Sequence, residues 1–502
     1  MDELVNTSSR QTNSANAFHG LRTVLFLVGF ILLAMAGMML FPMMVDWQSS
    51  ASHWKVFAIS AGLTASLGGI LMAKNRLSLR AALTIRQAFM LTPLSWLAVA
   101  SVSAMPFYFS DYGSVGGNLT NAFFESMSGI TTTGATVISG LDDAPRGLLL
   151  WRAILQWMGG VGIIAMAIAI LPALGIGGMQ LFRTESSDRS EKAMPRVRQI
   201  AMVMALVYIG LTACAAVVYF FAGMTAFDAI AHAMTSIATG GYSTSDLSFA
   251  KWEANGIQWF ASVFMLAGSV PFVLYVRFVA GEARAFWDRQ VKTLLALAGA
   301  VSLVVGLCLF ASGQFGFEAA MRAATFNVVS VISTTGFASS DYGSWGNVAV
   351  GLFFMLAFVG GCTGSTSGGI KVFRFEVMAI MLKAHFMRLL YPNGVFARTY
   401  GTRRLDDDVT TSVVAFLSLF FLCYIVLTLA LMAFGLNFLT SASAAVSALS
   451  NIGPGLGAEI GPAGNFSTIP AGAKWLLSAG MLLGRLEIFS VLILFIPRFW
   501  RA

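Results

Sequence analysis

Long apolar runs alternate with short polar ones along almost the whole chain. Leu21 to Val45, Val56 to Ala73 and Gln87 to Phe109 come first, followed by Leu148 to Leu171, Ile200 to Ala222 and Ile257 to Val279. Thr293 to Ala311, Val348 to Ile370, Val409 to Phe434 and Trp475 to Ile496 complete the set. Each is long enough to cross about 30 Å of hydrocarbon as a helix. Between them lie four shorter stretches: Asn118 to Met127, Ala226 to Ser236, Phe317 to Val331 and Ser441 to Ser450. At about ten to fifteen residues these are too short to cross. They predict half-helices that dip into the membrane and turn back, a path tolerated only where the irregular backbone is buried in protein or lines water. Ordinary outer loops are the alternative, and fourfold recurrence in matching context argues against it.

The pattern therefore predicts an all-α polytopic membrane protein. Two leading transmembrane helices precede four helix–pore-loop–helix repeats in a pseudo-fourfold arrangement, ten crossings in all. The expected divisions are a tail at 1–20, the leading helices at 21–86, and repeats at 87–176, 198–281, 291–370 and 408–502, with a cytoplasmic linker at 371–407. Ala34-Met35-Ala36 resembles a signal-peptidase site, but the run continues uncharged to Val45, as a spanning helix would.

Composition agrees. Of 502 residues 57% are hydrophobic and 11% charged, with a mean hydropathy of +0.77, whereas soluble domains carry about a quarter charged residues. The net charge of +8 could point to nucleic acid. The basic residues cluster in alternate loops instead, around Lys74 to Arg86, Arg183 to Arg198, Arg284 to Lys292 and Lys371 to Arg404. That is the cytoplasmic bias of membrane proteins, and it puts both termini in the cytoplasm with no nucleic-acid partner. The long basic loop could also dock a regulatory partner or anionic membrane lipid. Cys214, Cys308, Cys362 and Cys423 show no CxxC spacing, and the histidines form no HxxxH pair. A disulfide framework, a metal-ligand cluster and a bound cofactor are not expected.

After each short stretch comes a run of small polar residues and a glycine: SGITTTGAT, TSIATGGYS, SVISTTGFA and SALSNIGPG. Aligned on that glycine, they fall at Gly134, Gly240, Gly336 and Gly453. A bare alkali cation needs its hydration shell replaced by oxygens, and rings of backbone carbonyls do this in potassium filters. Glycine lets successive carbonyls aim at one axis. The residues before each glycine are Thr132 and Thr133, Ala238 and Thr239, Thr334 and Thr335, and Asn451 and Ile452. Ala238 and Ile452 lack a hydroxyl, so coordination there would rest on backbone oxygen.

FESMSG before TTTGA, the three sister runs, and GGCTGSTSGGIKVFR from Gly360 to Arg374 are similar to the Trk/Ktr/HKT superfamily. The two leading spans resemble its TrkH/TrkG-type potassium uptake members, and the likeness covers the chain from about residue 21. The resemblance implies a bacterial inner-membrane protein carrying potassium as its substrate, not an enzyme. The residues just quoted would form the filter. Glycine at 134, where some sodium-conducting relatives have serine, favours potassium. It also implies a homodimer with one pore per subunit, and a TrkA-like cytoplasmic regulatory subunit that alone binds nucleotide.

Gly360, Gly361, Gly364, Ser365, Thr366, Ser367, Gly368 and Gly369 interrupt an apolar run and read as a flexible loop beneath the filter. A packing kink is the alternative, and the GK[ST] signature of a phosphate loop is missing. The resemblance implies an intramembrane gate here. Arg485 lies inside the last apolar run, where a charge is costly and faces a cavity or a partner. The resemblance makes it a fixed positive charge in the pore; pairing with Glu487 is the alternative. Asp111, Glu125, Asp142, Asp143, Asp228, Asp246, Glu253, Glu318, Asp341 and Glu459 fall on the outer side, as a cation-concentrating mouth or as solvated and capping residues. A symporter coupled to protons or sodium stays open, although the repeats run in one orientation rather than inverted.

Overall fold

The computed structural model describes residues 21–49, 53–75, 84–169, 193–252, 256–401 and 403–501. The predicted tail at 1–20, Arg76 and Arg80, Arg183, Arg189 and Lys192, and Glu253 lie outside the described residues. Helices α1 (Leu21–Gln48) and α2 (Trp54–Lys74) lead the chain. The first repeat is α3 (Arg86–Phe109), the short α4 (Leu119–Ile130) and α5 (Arg146–Ala169). The second is α6 (Ala193–Phe221), the short α7 (Ala226–Ile237) and the pair α8 (Ile257–Ser269) and α9 (Phe272–Val279). The third is α10 (Arg289–Ala311), the short α11 (Phe317–Ile332) and α12 (Asn347–Leu356). After α13 (Val372–Leu390) comes the fourth: α14 (Asp407–Ala433), the short α15 (Phe438–Ser450), α16 (Ala471–Arg485) and α17 (Phe489–Phe495).

The short helices have 12, 12, 16 and 13 residues, roughly 18 to 24 Å at about 1.5 Å per residue. Asn118, Thr225 and Asn437 start three of them, each accepting a hydrogen bond from the amide three residues on. Their C-terminal halves are buried among the longer helices.

Among the described residues, seven helices are long and apolar enough to cross a membrane, or nine if each bent pair is one span. Of the ten expected crossings, the third repeat's second span is broken at the glycine loop as its sequence suggests, and those of the second and fourth repeats are bent, which hydropathy does not anticipate. Helices α8 and α9 meet at 91°, with Pro271 at the break, where its ring removes an amide donor. Helix α12 ends at Leu356 and gives way to the glycine loop. Helices α16 and α17 meet at 106°, where Glu487 and Ile488 take φ of 60° and 36°. Hydropathy is blind to these bends because the residues on both sides are apolar. Conversely, part of the expected linker is helical. Helix α13 buries Val372, Phe373, Glu376, Val377 and Ala384, and a two-residue ladder pairs Thr399 with Arg404 and Tyr400 with Arg403.

Ala34-Met35-Ala36 sits inside the continuous α1, with Met35 and Ala36 buried. Near the end of α1, buried Asp46 accepts a 2.6 Å hydrogen bond from the Gly147 amide in the first turn of α5. It acts as a cap supplied from another helix. Asp46→Ala should lower the unfolding midpoint of the purified protein, through a loss of about 1–2 kcal/mol. Asp46→Asn, which keeps the acceptor, should recover most of it.

Candidate functional site

All four short helices end in the same turn. Thr132, Thr239, Thr334 and Asn451 lie in the left-handed region at φ of 53°, 50°, 58° and 55°. Two residues further on, Gly134, Gly241, Gly336 and Gly453 have φ of 85°, 80°, 83° and 108°. The residue between donates back into the helix: Thr133 to Ser128, Gly240 to Thr235 and Thr335 to Ser330 at 2.9 Å, and Ile452 to Ser447 at 3.0 Å. The counterpart of Gly134 is thus Gly241, one residue later than the alignment on Gly240. Thr239 and Gly240 match Thr132 and Thr133. Ala238, like Thr131 and Ser333, is the C-cap before the turn. A side chain held left-handed costs about 1–3 kcal/mol and persists only where its surroundings enforce it. Here four repeats enforce it alike.

The turns close a ring. A methyl group on Gly134 would overlap the Gly240 carbonyl oxygen, one on Gly241 that of Thr335, and one on Gly336 that of Ile452. On Gly453 it would lie 2.7 Å from the Thr133 oxygen, which returns the circuit to the first repeat. Each of these glycines is needed twice, for its positive φ and for the approach of the next strand. The same four line one cavity of about 280 Å³. The short helices end at this ring, so their C-terminal partial negative charge falls beside it.

A polar side chain on each short helix holds the strand leaving its turn. Glu125 accepts from the Val137 amide at 2.9 Å, and His232 Nε2 pairs with Ser243 Oγ at 3.0 Å. Asn327 accepts from the Ser339 amide at 3.2 Å, and Ser443 from the Leu456 amide at 2.9 Å. The first brace also crosses to the second repeat. Arg152 on α5 donates to Glu125 at 2.8 Å and to the Ser243 carbonyl at 2.8 Å, and its guanidinium lies 4.0 Å from the Tyr242 ring centre. Gln156, one turn further, donates to the Gly240 carbonyl at 2.6 Å.

Glycines on the second helices let the short helices pack closely. A methyl on Gly159 would overlap the Ile130 carbonyl and one on Gly484 that of Leu449, while one on Gly268 would lie 2.8 Å from the Ile237 oxygen. In the third repeat the chain instead forms the loop from Gly360 to Gly369. A parallel bridge between Val359 and Ile370 closes its neck, and a methyl on Gly360 would overlap the Gly368 oxygen. The loop lies against three of the turns. Thr366 Oγ1 is 3.0 Å from the Ile237 oxygen and 3.2 Å from Thr239 Oγ1. Gly368 donates to Thr334 Oγ1 at 2.7 Å, and a methyl there would overlap the Ser450 oxygen.

The rest of the loop is tied to the flanking helices. Gly364 accepts from the Phe272 amide at 3.0 Å, Ser365 donates to Cys362 at 2.6 Å, and Ser367 donates to Ser269 at 3.0 Å; Gly361 packs on Ser367, and Gly369 on Gly360. Buried Arg485 donates to the Thr366 carbonyl at 2.8 Å and to the Gly159 carbonyl at 3.1 Å. Lys371 donates to Ser367. Glu487 pairs with Arg374, not with Arg485. A cavity of about 30 Å³ borders Thr363, Gly368, Lys371, Arg485 and Glu487.

Most of the acids expected at an outer mouth have structural partners. Glu125 is sealed behind the ring, Asp228 accepts from the Thr225 and Thr244 hydroxyls at 2.7 and 2.6 Å, Asp341 caps the short turn Tyr342–Ser344, and Asp246 takes the Gly140 and Leu141 amides at 2.8 and 3.1 Å. Glu318 pairs with Arg322, and Asp142 with Lys251 at 2.6 Å. Partial burial pushes the Asp142 carboxyl up, but hydrogen bonds from Lys251, Ser245 and the Asp246 amide outweigh it and hold Asp142 below the usual range.

Gly241, Arg152, Gln156 and Gly159 were not singled out by the sequence reading. The signal was present: Arg152, Gln156 and Gly159 recur at i, i+4 and i+7, a polar and small stripe on an otherwise apolar helix.

Residues 53–502 match the TrkH family, described as cation transport protein. Among curated relatives, the Trk system potassium uptake protein TrkI of Halomonas elongata is 46% identical over 95% of this chain and 96% of its own length. The Trk system potassium uptake protein TrkH of Escherichia coli K12 is 36% identical over 96% of this chain and 99% of its own. The crystal structure of the potassium transporter TrkH from Vibrio parahaemolyticus superposes with a TM-score of 0.87 at 34% identity, covering 96% of this chain and all of that one. With the profile spanning nearly the whole chain and the fold shared along its length, the chain belongs to the TrkH family of cation transport proteins.

Proposed function

We propose that the chain is a potassium uptake protein of the bacterial inner membrane, multi-pass with both termini in the cytoplasm. Potassium is the transported substrate. It exchanges its water for backbone oxygens of Thr132 and Thr133, Thr239 and Gly240, Thr334 and Thr335, and Asn451 and Ile452. The closed circuit of four like turns at buried helix ends carries this reading, and the names of the relatives support the choice of ion. Four turns of one handedness around one opening suit a pore better than the inverted halves of an alternating-access symporter.

The loop from Gly360 to Gly369 is the gate, with Arg485 as a fixed positive charge beside it. The protein works as a homodimer with a pore in each subunit. A TrkA-like cytoplasmic subunit binds the controlling nucleotide and acts on the gate from below.

Growth rescue tests the assignment. Expressed with its regulatory partner in a bacterium lacking potassium uptake, the chain should restore growth at low potassium, and failure to do so would end the assignment. Gly134→Ser should admit more sodium, since its side chain would crowd the Gly240 carbonyl. Unchanged sodium uptake would mean that the ring is not the filter.

A further inference from the structure

Three repeats place a side chain just before the ring glycine: Thr133, Thr335 and Ile452. The second repeat has Gly240 there. Its φ is not positive, so its backbone would accept any residue, and room rather than conformation calls for glycine. The room is taken by Gln156, which reaches over from α5 of the first repeat. A methyl on Gly240 would overlap the Gln156 Cδ and lie 2.5 Å from its Oε1 and 2.9 Å from its Cγ.

Both ends of the Gln156 amide are used on this one turn. Nε2 donates to the Gly240 carbonyl at 2.6 Å, and Oε1 accepts from the Tyr242 amide at 3.0 Å. Gln156 is 0% exposed, so water does not compete for either bond. Among the described residues, the carbonyls of Thr133, Thr335 and Ile452 receive no hydrogen bond from a side chain. The four ring oxygens are therefore unequal, and the second has one lone pair occupied and its direction fixed. Selectivity in a carbonyl filter depends on the size of the cage, or on the number and field strength of its dipoles. A side chain that orients one dipole and draws on it acts on both.

We propose that Gln156 is a selectivity-determining positioning residue, standing in for the side chain that Gly240 lacks and setting the reach of the second ring carbonyl. This rests on the ring being the filter. The test compares full-length variants, with the regulatory partner, in potassium-uptake-deficient cells. It reads the ratio of radiolabelled rubidium to sodium uptake, normalised to protein in the membrane. Gln156→Leu removes both bonds, and Gln156→Glu keeps the acceptor for Tyr242 while losing the donor to Gly240. Each should lower the ratio by about tenfold, the scale of one hydrogen bond.

Gly240→Thr alone should abolish uptake by clashing with Gln156. Gly240→Thr with Gln156→Ala rebuilds the arrangement of the first and third repeats and should recover most of the ratio. A wild-type ratio in Gln156→Glu overturns the proposal, as does a double variant no better than Gly240→Thr. If Gln156→Leu does not reach the membrane, those two variants still decide. Gly134→Ser separates the failures: a changed ratio there with none at Gln156 sinks only this inference, whereas no change at either position sinks the ring as filter.

Discussion

Arg152→Ala is expected to cost about 3–5 kcal/mol of stability and to abolish growth on limiting potassium. Glu125 is 0% exposed and Arg152 2%, so the substitution strands a carboxylate where water cannot reach it. It also removes the donor to the Ser243 carbonyl and the cation over Tyr242, which loosens the strands leaving both the first and second turns. The double change Glu125→Gln with Arg152→Met removes both charges and should be less destabilised than Arg152→Ala alone, because an apolar replacement carries no desolvation cost. Unfolding midpoints of the detergent-purified proteins measure both. Equal midpoints would mean that the pair contributes only its bulk.

Arg485→Ala is expected to raise cation flux through protein reconstituted in liposomes by about tenfold or more. Its two hydrogen bonds tie the loop at Thr366 to α5 at Gly159. Charge-assisted bonds of this kind contribute about 1.5–3 kcal/mol each, and about 1.4 kcal/mol is tenfold in an equilibrium. Losing them favours a displaced loop, and losing the charge lowers the electrostatic barrier to a passing cation. Arg485→Lys keeps the charge without the two-pronged donor and should fall between. Flux unchanged in the alanine variant would refute both roles.

The helical membrane architecture and the four turns were legible in the sequence because they rest on local composition: apolar length for the spans, small polar residues and glycine for the turns. The register of the second turn was not. Its Thr239-Gly240-Gly241 offers two glycines, and it takes the left-handed φ of Thr239 and of Gly241 to say which of them matches Gly134. The bends at Pro271 and at Glu487-Ile488 were hidden because average hydropathy does not register direction. Helix α13 was read as a linker because Arg374, Lys383 and Arg388 suppress its hydropathy, although Val372, Glu376 and Val377 share a buried face. The role of Gln156 could not be read at all, since it depends on a void left by another repeat. The capping acids were open to two readings because a carboxylate's sequence neighbours do not reveal whether an amide lies opposite it.

One repeat departs from the others: where α5, α8 and α16 set a glycine against a short helix, the third breaks into the loop that lies against the neighbouring turns. A tetramer of identical chains would have to carry four such loops, each competing for three of the same four turns. Fusing the quarters into one polypeptide removes that restriction. A single loop can then be held by contacts from several unlike repeats, and one substitution changes one quadrant instead of all of them.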